Sequence, residues 1–290
     1  MSADSFFPPI RRLAPGDLKR CVALSVDRGW APERDKWSLL LAASEVFGVD
    51  APDGRGLAGA VVLTRWAADY AAVGMMLVAA RYGRRGLGRA LMEHLLRAAG
   101  DGATVTLFAT DMGRPLYEKL GFARVRSNVP FVGRFRARLR SGERGVRAAA
   151  EADLPSVLAL DRAAFGADRG HILTRVLALA DQVAVVEAGG PHGRGVAGYA
   201  AAWRSTPAVT VIGPVVAPDG GTARRLVTAL AVRSPTVVRL DLDPDRTELP
   251  GWAYARGLEP AGRNIVMAHG EVTERGRPGD LFAPISVALA

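Results

Sequence analysis

The stretch Val73-Gly74-Met75-Met76-Leu77-Val78-Ala79-Ala80-Arg81-Tyr82-Gly83-Arg84-Arg85-Gly86-Leu87-Gly88-Arg89-Ala90-Leu91 reads as strand, turn and helix in succession. Its apolar start extends back to Tyr70, as in a buried strand. Glycines and arginines follow at Gly83, Arg84, Arg85, Gly86, Gly88 and Arg89. A helix is predicted from about Gly86 to Ala99, with Leu87, Leu91, Leu95 and Leu96 on one face. Glycines in such a turn let backbone N–H groups approach a ligand, and a helix start adds about half a positive charge. That pairing suits a pyrophosphate, and Arg81, Arg84, Arg85 and Arg89 add full charges. The spacing is not a dinucleotide fingerprint, because the third position after Gly86 and Gly88 falls on Leu91. Nor is there the Gly-Lys-Ser/Thr of a P-loop. A tight loop with solvated arginines is the plainer alternative for a Gly/Arg cluster on its own.

The flanking sequence supplies a layered α+β unit. Glu45–Ala51 and Gly56–Trp66 are predicted strands about the turn Asp53-Gly54, and Tyr70–Ala79 is a third. After the helix come a strand at Thr104–Thr110, a short helix at Pro115–Leu120 and a strand-like Phe122–Arg138.

That unit occurs twice. Ile10-Arg11 lines up with Val146-Arg147, Asp17-Leu18 with Asp153-Leu154, and Val22-Ala23-Leu24 with Leu158-Ala159-Leu160, each 136 residues on. Ala58-Gly59 matches Ala197-Gly198 and Val73-Gly74 matches Ile212-Gly213 at 139, and Gly121 pairs with Gly257 at 136 again. Ordered matches at a nearly constant offset imply a duplicated domain. Asp17 and Asp153 are expected at helix N-caps. The polar run Ser141-Gly142-Glu143-Arg144-Gly145 is the expected linker, giving domains at 8–140 and 145–290.

Composition limits the function classes. Of 290 residues, 49% are hydrophobic and 23% charged, which excludes a disordered or collagen-like chain. The longest near-apolar run, Tyr70 to Ala80, falls short of the roughly 18 residues of a membrane span. A single cysteine, Cys21, excludes an internal disulfide and a multi-thiolate metal site. His94, His171, His192 and His269 show no ligand spacing, so no metal is expected. With no secretory signal visible, a cytoplasmic protein is expected. Net charge is +9, and the excess lies in residues 1–140, with 22 Lys/Arg against 13 Asp/Glu. Thirty-five of the 38 basic residues are Arg, which fits a coding bias. No aromatic-basic interleaving or helix-turn-helix pattern is present, so nucleic acid is not expected as a partner. A multiply phosphorylated small ligand in the first half accounts for the asymmetry.

A second segment, Gly113-Arg114-Pro115-Leu116-Tyr117-Glu118-Lys119-Leu120-Gly121-Phe122, lies some thirty residues after the first. Together the two resemble the GCN5-related N-acetyltransferase (GNAT) superfamily. The first is similar to its acyl-CoA pyrophosphate loop, R/Q-x-x-G-x-G/A, although Gly83 stands where Arg or Gln is usual. The second is similar to its A-x-x-L-Y-x-K-x-G-F helix beside the cofactor thiol, with Thr110 where Asn is frequent. With the repeat, the chain resembles tandem acetyltransferases whose C-terminal half is a YitH-type domain, and Ile212-Gly213-Pro214-Val215-Val216-Ala217-Pro218 fits that type. The resemblance implies two GNAT folds, each a mixed central sheet flanked by helices.

It also implies direct transfer of an acetyl group from acetyl-CoA to an amine, most simply of a small molecule. A protein lysine is the alternative acceptor, and a non-catalytic acyl-CoA-binding regulatory module is the alternative of another class. Acyl-CoA would be bound by Gly83, Arg84, Arg85, Gly86, Leu87, Gly88, Arg89 and Thr110, with the backbone near Met76 and Val78 holding the pantetheine arm. Tyr117 would be the general acid for the thiolate. The base is open among Asp111, Glu33, Asp35, Glu45 and solvent. Trp30 and Trp37 bracket the Glu33/Asp35 stretch, where substrate usually enters this family. The second copy is expected to be structural: its loop is about four residues shorter, Asp219 replaces arginines, and Ala253 stands at the place of Tyr117. Homo-oligomerisation is left open.

Overall fold

The computed structural model describes residues 7–137, 145–188, 195–245 and 249–289. Chain proximity divides it into two units. One comprises Met1–Arg124, Met267–Val272 and Ala288–Ala290, and the other Val125–Val266 and Thr273–Val287. The division differs from the spans 8–140 and 145–290 in where the chain crosses, since each unit takes in segments from the other half of the sequence. Residues 141–144 of the expected linker lie outside the described residues.

The first unit contains β1 (Arg11–Arg12), α1 (Leu18–Asp27), α2 (Arg34–Ala43), β2 (Glu45–Asp50), β3 (Leu57–Ala67), β4 (Tyr70–Val78), α3 (Leu87–Ala99), β5 (Thr104–Ala109) and α4 (Arg114–Lys119). Its strands lie in the order β1-β2-β3-β4-β5. Neighbours are antiparallel except β4 and β5, which are parallel because α3 carries the chain back between them. β3 is buried on both faces, which is why its sequence runs apolar without alternation. α3 buries Leu87, Leu91, Met92 and Leu95, whereas the expected Leu96 is only half-buried. Gly59 lets α3 approach β3, since a Cβ there would lie 2.9 Å from Leu91 Cδ1. Trp37 is fully buried and donates its indole N–H to Ser25 Oγ at 2.8 Å, tying α2 to α1. Met267–Val272 complete the unit from far along the chain: the Thr104 hydroxyl donates to the Glu271 carbonyl.

β6 (Ala123–Gly133) leads into the second unit, with β7 (Val146–Ala148), α5 (Leu154–Phe165), α6 (Gly170–Leu179), β8 (Gln182–Glu187), β9 (Val196–Thr206) and β10 (Val209–Val216). Then follow α7 (Gly220–Ala231), β11 (Val237–Leu242), α8 (Leu249–Ala255), β12 (Glu259–Pro260), β13 (Asn264–His269, whose residues from Met267 on belong to the first unit) and β14 (Leu281–Ala283). The order is β6-β11-β10-β9-β8-β7, with β12 beside β6 and β14 beside β10. As in the first unit, the central pair β10 and β11 is parallel and bridged by a helix, here α7. Leu226, Val227 and Leu230 of α7 pack with Ile212, Val215 and Leu240 in the core.

The duplication is visible in side-chain geometry. Arg11 donates to both carboxylate oxygens of Asp17 at 3.0 and 2.8 Å, and Arg147 grips Asp153 the same way at 2.6 and 2.9 Å. Neither aspartate caps the helix that follows it. Each accepts from the backbone N–H three residues earlier, Ala14 or Ala150, because a 3-10 turn intervenes and turns the carboxylate back toward the arginine.

Candidate functional site

The site of the first unit grows out of the end of β4. Asp27, the last residue of α1, accepts the Ala80 N–H at 2.6 Å and so fixes where the strand stops. A 3-10 turn at Ala80–Tyr82 follows, and then the exposed residues Gly83 to Gly86. Arg84 (φ +59) and Gly86 (φ +80) are left-handed. Glycine takes that conformation freely, but for an arginine it is strained. The N-cap of α3 is Gly86, with no side chain occupying it, and the first helical bond runs from Ala90 N–H to the Gly86 carbonyl. The N–H groups of the first turn therefore point outward without intrahelical acceptors. Arg84, Arg85 and Arg89 are exposed around them, and Arg89 lies 3.5 Å from Glu93. Arg81 serves elsewhere: it donates to the Arg55 carbonyl at 2.7 Å and to Asp53 at 3.3 Å, bracing the turn between β2 and β3.

Gly88 brings the other parts together. A Cβ there would lie 3.3 Å from Met76 Cε, 3.4 Å from Leu116 Cδ2 and 3.8 Å from Val78 Cγ2. The half-buried Met76 and Val78 of β4, the start of α3 and the helix carrying Tyr117 thus meet at one point. Thr110 shapes that helix rather than standing apart from it, since its carbonyl accepts from Gly113 and Arg114 and its hydroxyl lies 3.3 Å from the Gly113 N–H. Tyr117 is 8% exposed and tilted against Phe122 at 5.9 Å. Burial pushes its phenol up to about 12, so it holds its proton at neutral pH.

The carboxylates are scattered. Glu33 lies 2.5 Å from Lys36 one turn on, and Glu45 pairs with Arg65 at 2.6 Å and Arg12 at 3.2 Å. Asp35 and Asp111 are exposed. Among the described residues no hydrogen bond joins any of the four to Tyr117. The two tryptophans divide, with Trp37 in the core and Trp30 43% exposed. His94 stacks edge-on against Phe47 at 4.7 Å, and burial lowers its pKa. Cys21 is fully buried, and its thiol is pushed up to about 12 by that burial, which removes it as a nucleophile. His192 lies outside the described residues, and no group of three metal-ligating side chains occurs among those described. Asp27 is the residue that sequence reasoning missed, because its bond to Ala80 spans 53 positions.

In the second unit, three residues separate β10 from α7, where eight separate β4 from α3. Ala253 is buried at the place of Tyr117, and Tyr254 beside it is 65% exposed.

Comparison with known proteins places both units. Residues 43–124 match one acetyltransferase (GNAT) domain model, and residues 157–283 match another. The uncharacterized N-acetyltransferase YitH of Bacillus subtilis is 28% identical over 228 residues, 75% of this chain and 76% of its own. A Pyrococcus horikoshii protein named only provisionally as an acetyltransferase superposes with a TM-score of 0.81 at 17% identity, covering 100% of this chain and 99% of that one. A tandem GNAT protein from the clavulanic acid biosynthesis pathway gives 0.65 at 19% identity, over 91% and 99%. These structural likenesses establish the fold.

Proposed function

We infer, for a chain that belongs to the acetyltransferase (GNAT) family in both its halves, that the first half moves an acetyl group from acetyl-CoA to an amine. Acyl transfer is the reaction class of the family; the donor, the acceptor and the residue roles are our reading. The observation that carries it is the start of α3, where left-handed Arg84 and Gly86 expose a helix terminus beside three arginines. An anion is bound there by N–H donors, by the positive end of the helix and by full charges. The residues present fit the pyrophosphate of a CoA, with Gly88 keeping the approach narrow beside Met76 and Val78. Acetyl-CoA, when bound, supplies the activated acyl group.

The chain's own residues then have three tasks. The backbone of Met76 to Val78 orients the carrier arm, because β4 there has no described strand on its β5 side. Tyr117, protonated and buried, gives its proton to the departing thiolate. The amine loses a proton to solvent or to Asp111, exposed between β5 and α4, while Glu33 and Glu45 are committed to basic partners. Retention of Tyr117, on the helix whose Leu116 meets Gly88, favours an enzyme over a binding module. The acceptor is proposed to be a small molecule. The second half, without arginines in its loop or a tyrosine at Ala253, is proposed to be structural. The domains are proposed to be duplicated units near 8–140 and 145–290 that exchange terminal segments.

Calorimetric titration with acetyl-CoA tests the reading. One equivalent per chain is expected, and Gly86→Asp should abolish it, because a side chain in a left-handed position and a negative charge both enter the cradle. Undiminished affinity in that variant overturns the assignment.

A further inference from the structure

In both units the central parallel pair comes apart after four residue pairs. β4 follows β5 over Tyr70–Val73, and β10 follows β11 over Val209–Ile212. A glycine and an irregular residue come next in each: Gly74 with Met75 (φ +46), and Gly213 with Pro214, whose ring removes a backbone donor. Beyond this point the copies differ. In the first unit the Ala288 carbonyl meets Gly74, but on the β5 side of β4 no described strand continues along Met75–Val78. In the second unit the edge is taken. Val215 and Val216 pair antiparallel with Ala283 and Leu281 of β14, and the Ala217 N–H donates to the Asp280 carbonyl at 2.9 Å. The Pro284 carbonyl sits so close to Gly213 that a Cβ there would lie 2.2 Å from it. Side chains hold the strand in place: Phe282 joins the core with Leu226 and Leu249, and Ile285 is fully buried.

The helix start is filled as well. Asp219 caps α7, accepting from the Thr222 N–H at 2.7 Å and its hydroxyl at 3.1 Å. An aspartate carboxylate thus lies where α3 offers only Gly86.

We propose that the second unit carries its own replacement for an acyl-CoA. The segment Asp280–Pro284 runs along the strand edge that a carrier arm would use, and the Asp219 carboxylate neutralises the helix terminus that a phosphate would use. Strand addition from within the chain satisfies the backbone donors and acceptors of β10. The second fold is therefore complete without ligand. It binds no acyl-CoA, and its stability is independent of the one bound by the first unit. This rests on the reading that the first unit uses the corresponding edge of β4 for acyl-CoA.

Hydrogen exchange of the full chain, with and without acetyl-CoA, tests the proposal. Amides of 213–218 should exchange slowly without acetyl-CoA and be unchanged by it, whereas those of 75–80 should gain protection. Fast exchange at 213–218 in its absence, or added protection there in its presence, overturns the proposal. Slow and indifferent exchange at 213–218, together with protection gained at 75–80, supports it. An unchanged 75–80 under saturating acetyl-CoA counts instead against the first unit as the acyl-CoA site. Phe282→Asp should speed exchange at 213–218 by about tenfold or more while leaving 75–80 as in the wild type. If that variant fails to fold, the wild-type comparison still decides.

Discussion

The ring of Tyr117 rests on the Cα of Gly113: a Cβ at Gly113 would lie 2.9 Å from Tyr117 Cε2 and 3.4 Å from its hydroxyl oxygen. The glycine four residues earlier makes room for the phenol, and any larger residue would push the ring aside.

Tyr117→Phe keeps the ring and removes the proton. With an amine that turns over, kcat should fall by about 10²–10⁴-fold while the KM for acetyl-CoA changes little. Gly113→Val should lower kcat as well, by displacing the ring. Release of free CoA thiol measures both, and a fully active Tyr117→Phe enzyme would make the residue a packing tyrosine only.

Gly74→Ala should destabilise the chain. The new Cβ would stand 2.2 Å from the Ala288 carbonyl oxygen, a backbone atom that cannot rotate away. A loss of about 1–3 kcal/mol, typical of overpacking, is expected in chemical denaturation. Unchanged stability would mean that the segment around Ala288 gives way at no cost.

Asp161→Ala should be among the most damaging single changes. Arg169 donates to both Asp161 oxygens at 2.8 and 2.9 Å, the Tyr199 hydroxyl donates to the same carboxylate, and both members of the ion pair are only 2% exposed. Removing one member of a buried ion pair costs about 3–5 kcal/mol, because a desolvated charge loses the bidentate contact that offset its burial. Replacing Asp161, Arg169 and Tyr199 together by apolar residues of similar volume should recover much of that loss.

Acid should weaken both units through one repeated contact. Arg11 holds Asp17 well below the usual carboxylate range by donating to it, and Arg147 holds Asp153 down at about 2 in the same way. In the unfolded chain such groups titrate near about 3.9. Folded aspartates pulled below that value add stability above it and lose it as pH falls through their own pKa. Urea midpoints should therefore be level above pH 5 and drop from pH 4 to 2. Arg11→Met with Arg147→Met should flatten that drop, and an unaltered acid limb would remove these pairs from its cause.

Much of this was legible in the residues. Apolar runs bounded by turns, and a leucine stripe of period 3.6, placed β2 to β5 and α3 within one or two positions, since each depends on neighbours along the chain. Glycines such as Gly86, Gly121 and Gly257 announce left-handed backbone directly. What escaped were side-chain bonds between different elements, at separations that follow no helical or strand period. Asp27 on Ala80, Trp37 on Ser25 and Asp161 on Arg169 leave no periodic trace, and the capping expected of Asp17 and Asp153 gave way to arginines brought alongside.

The sequence by itself determined that the chain is a duplicated α+β protein with one basic Gly-rich helix start, because repeats, glycine positions and charge are properties of residue order. Only the tertiary structure decided which strand edges are taken. β14 reaches Val215 and Val216 from 65 or more positions away, and Met267–Val272 return to the first unit after about half the chain. A strand edge is a row of backbone donors and acceptors common to every sequence. Which segment satisfies it is settled by where the folded chain can reach.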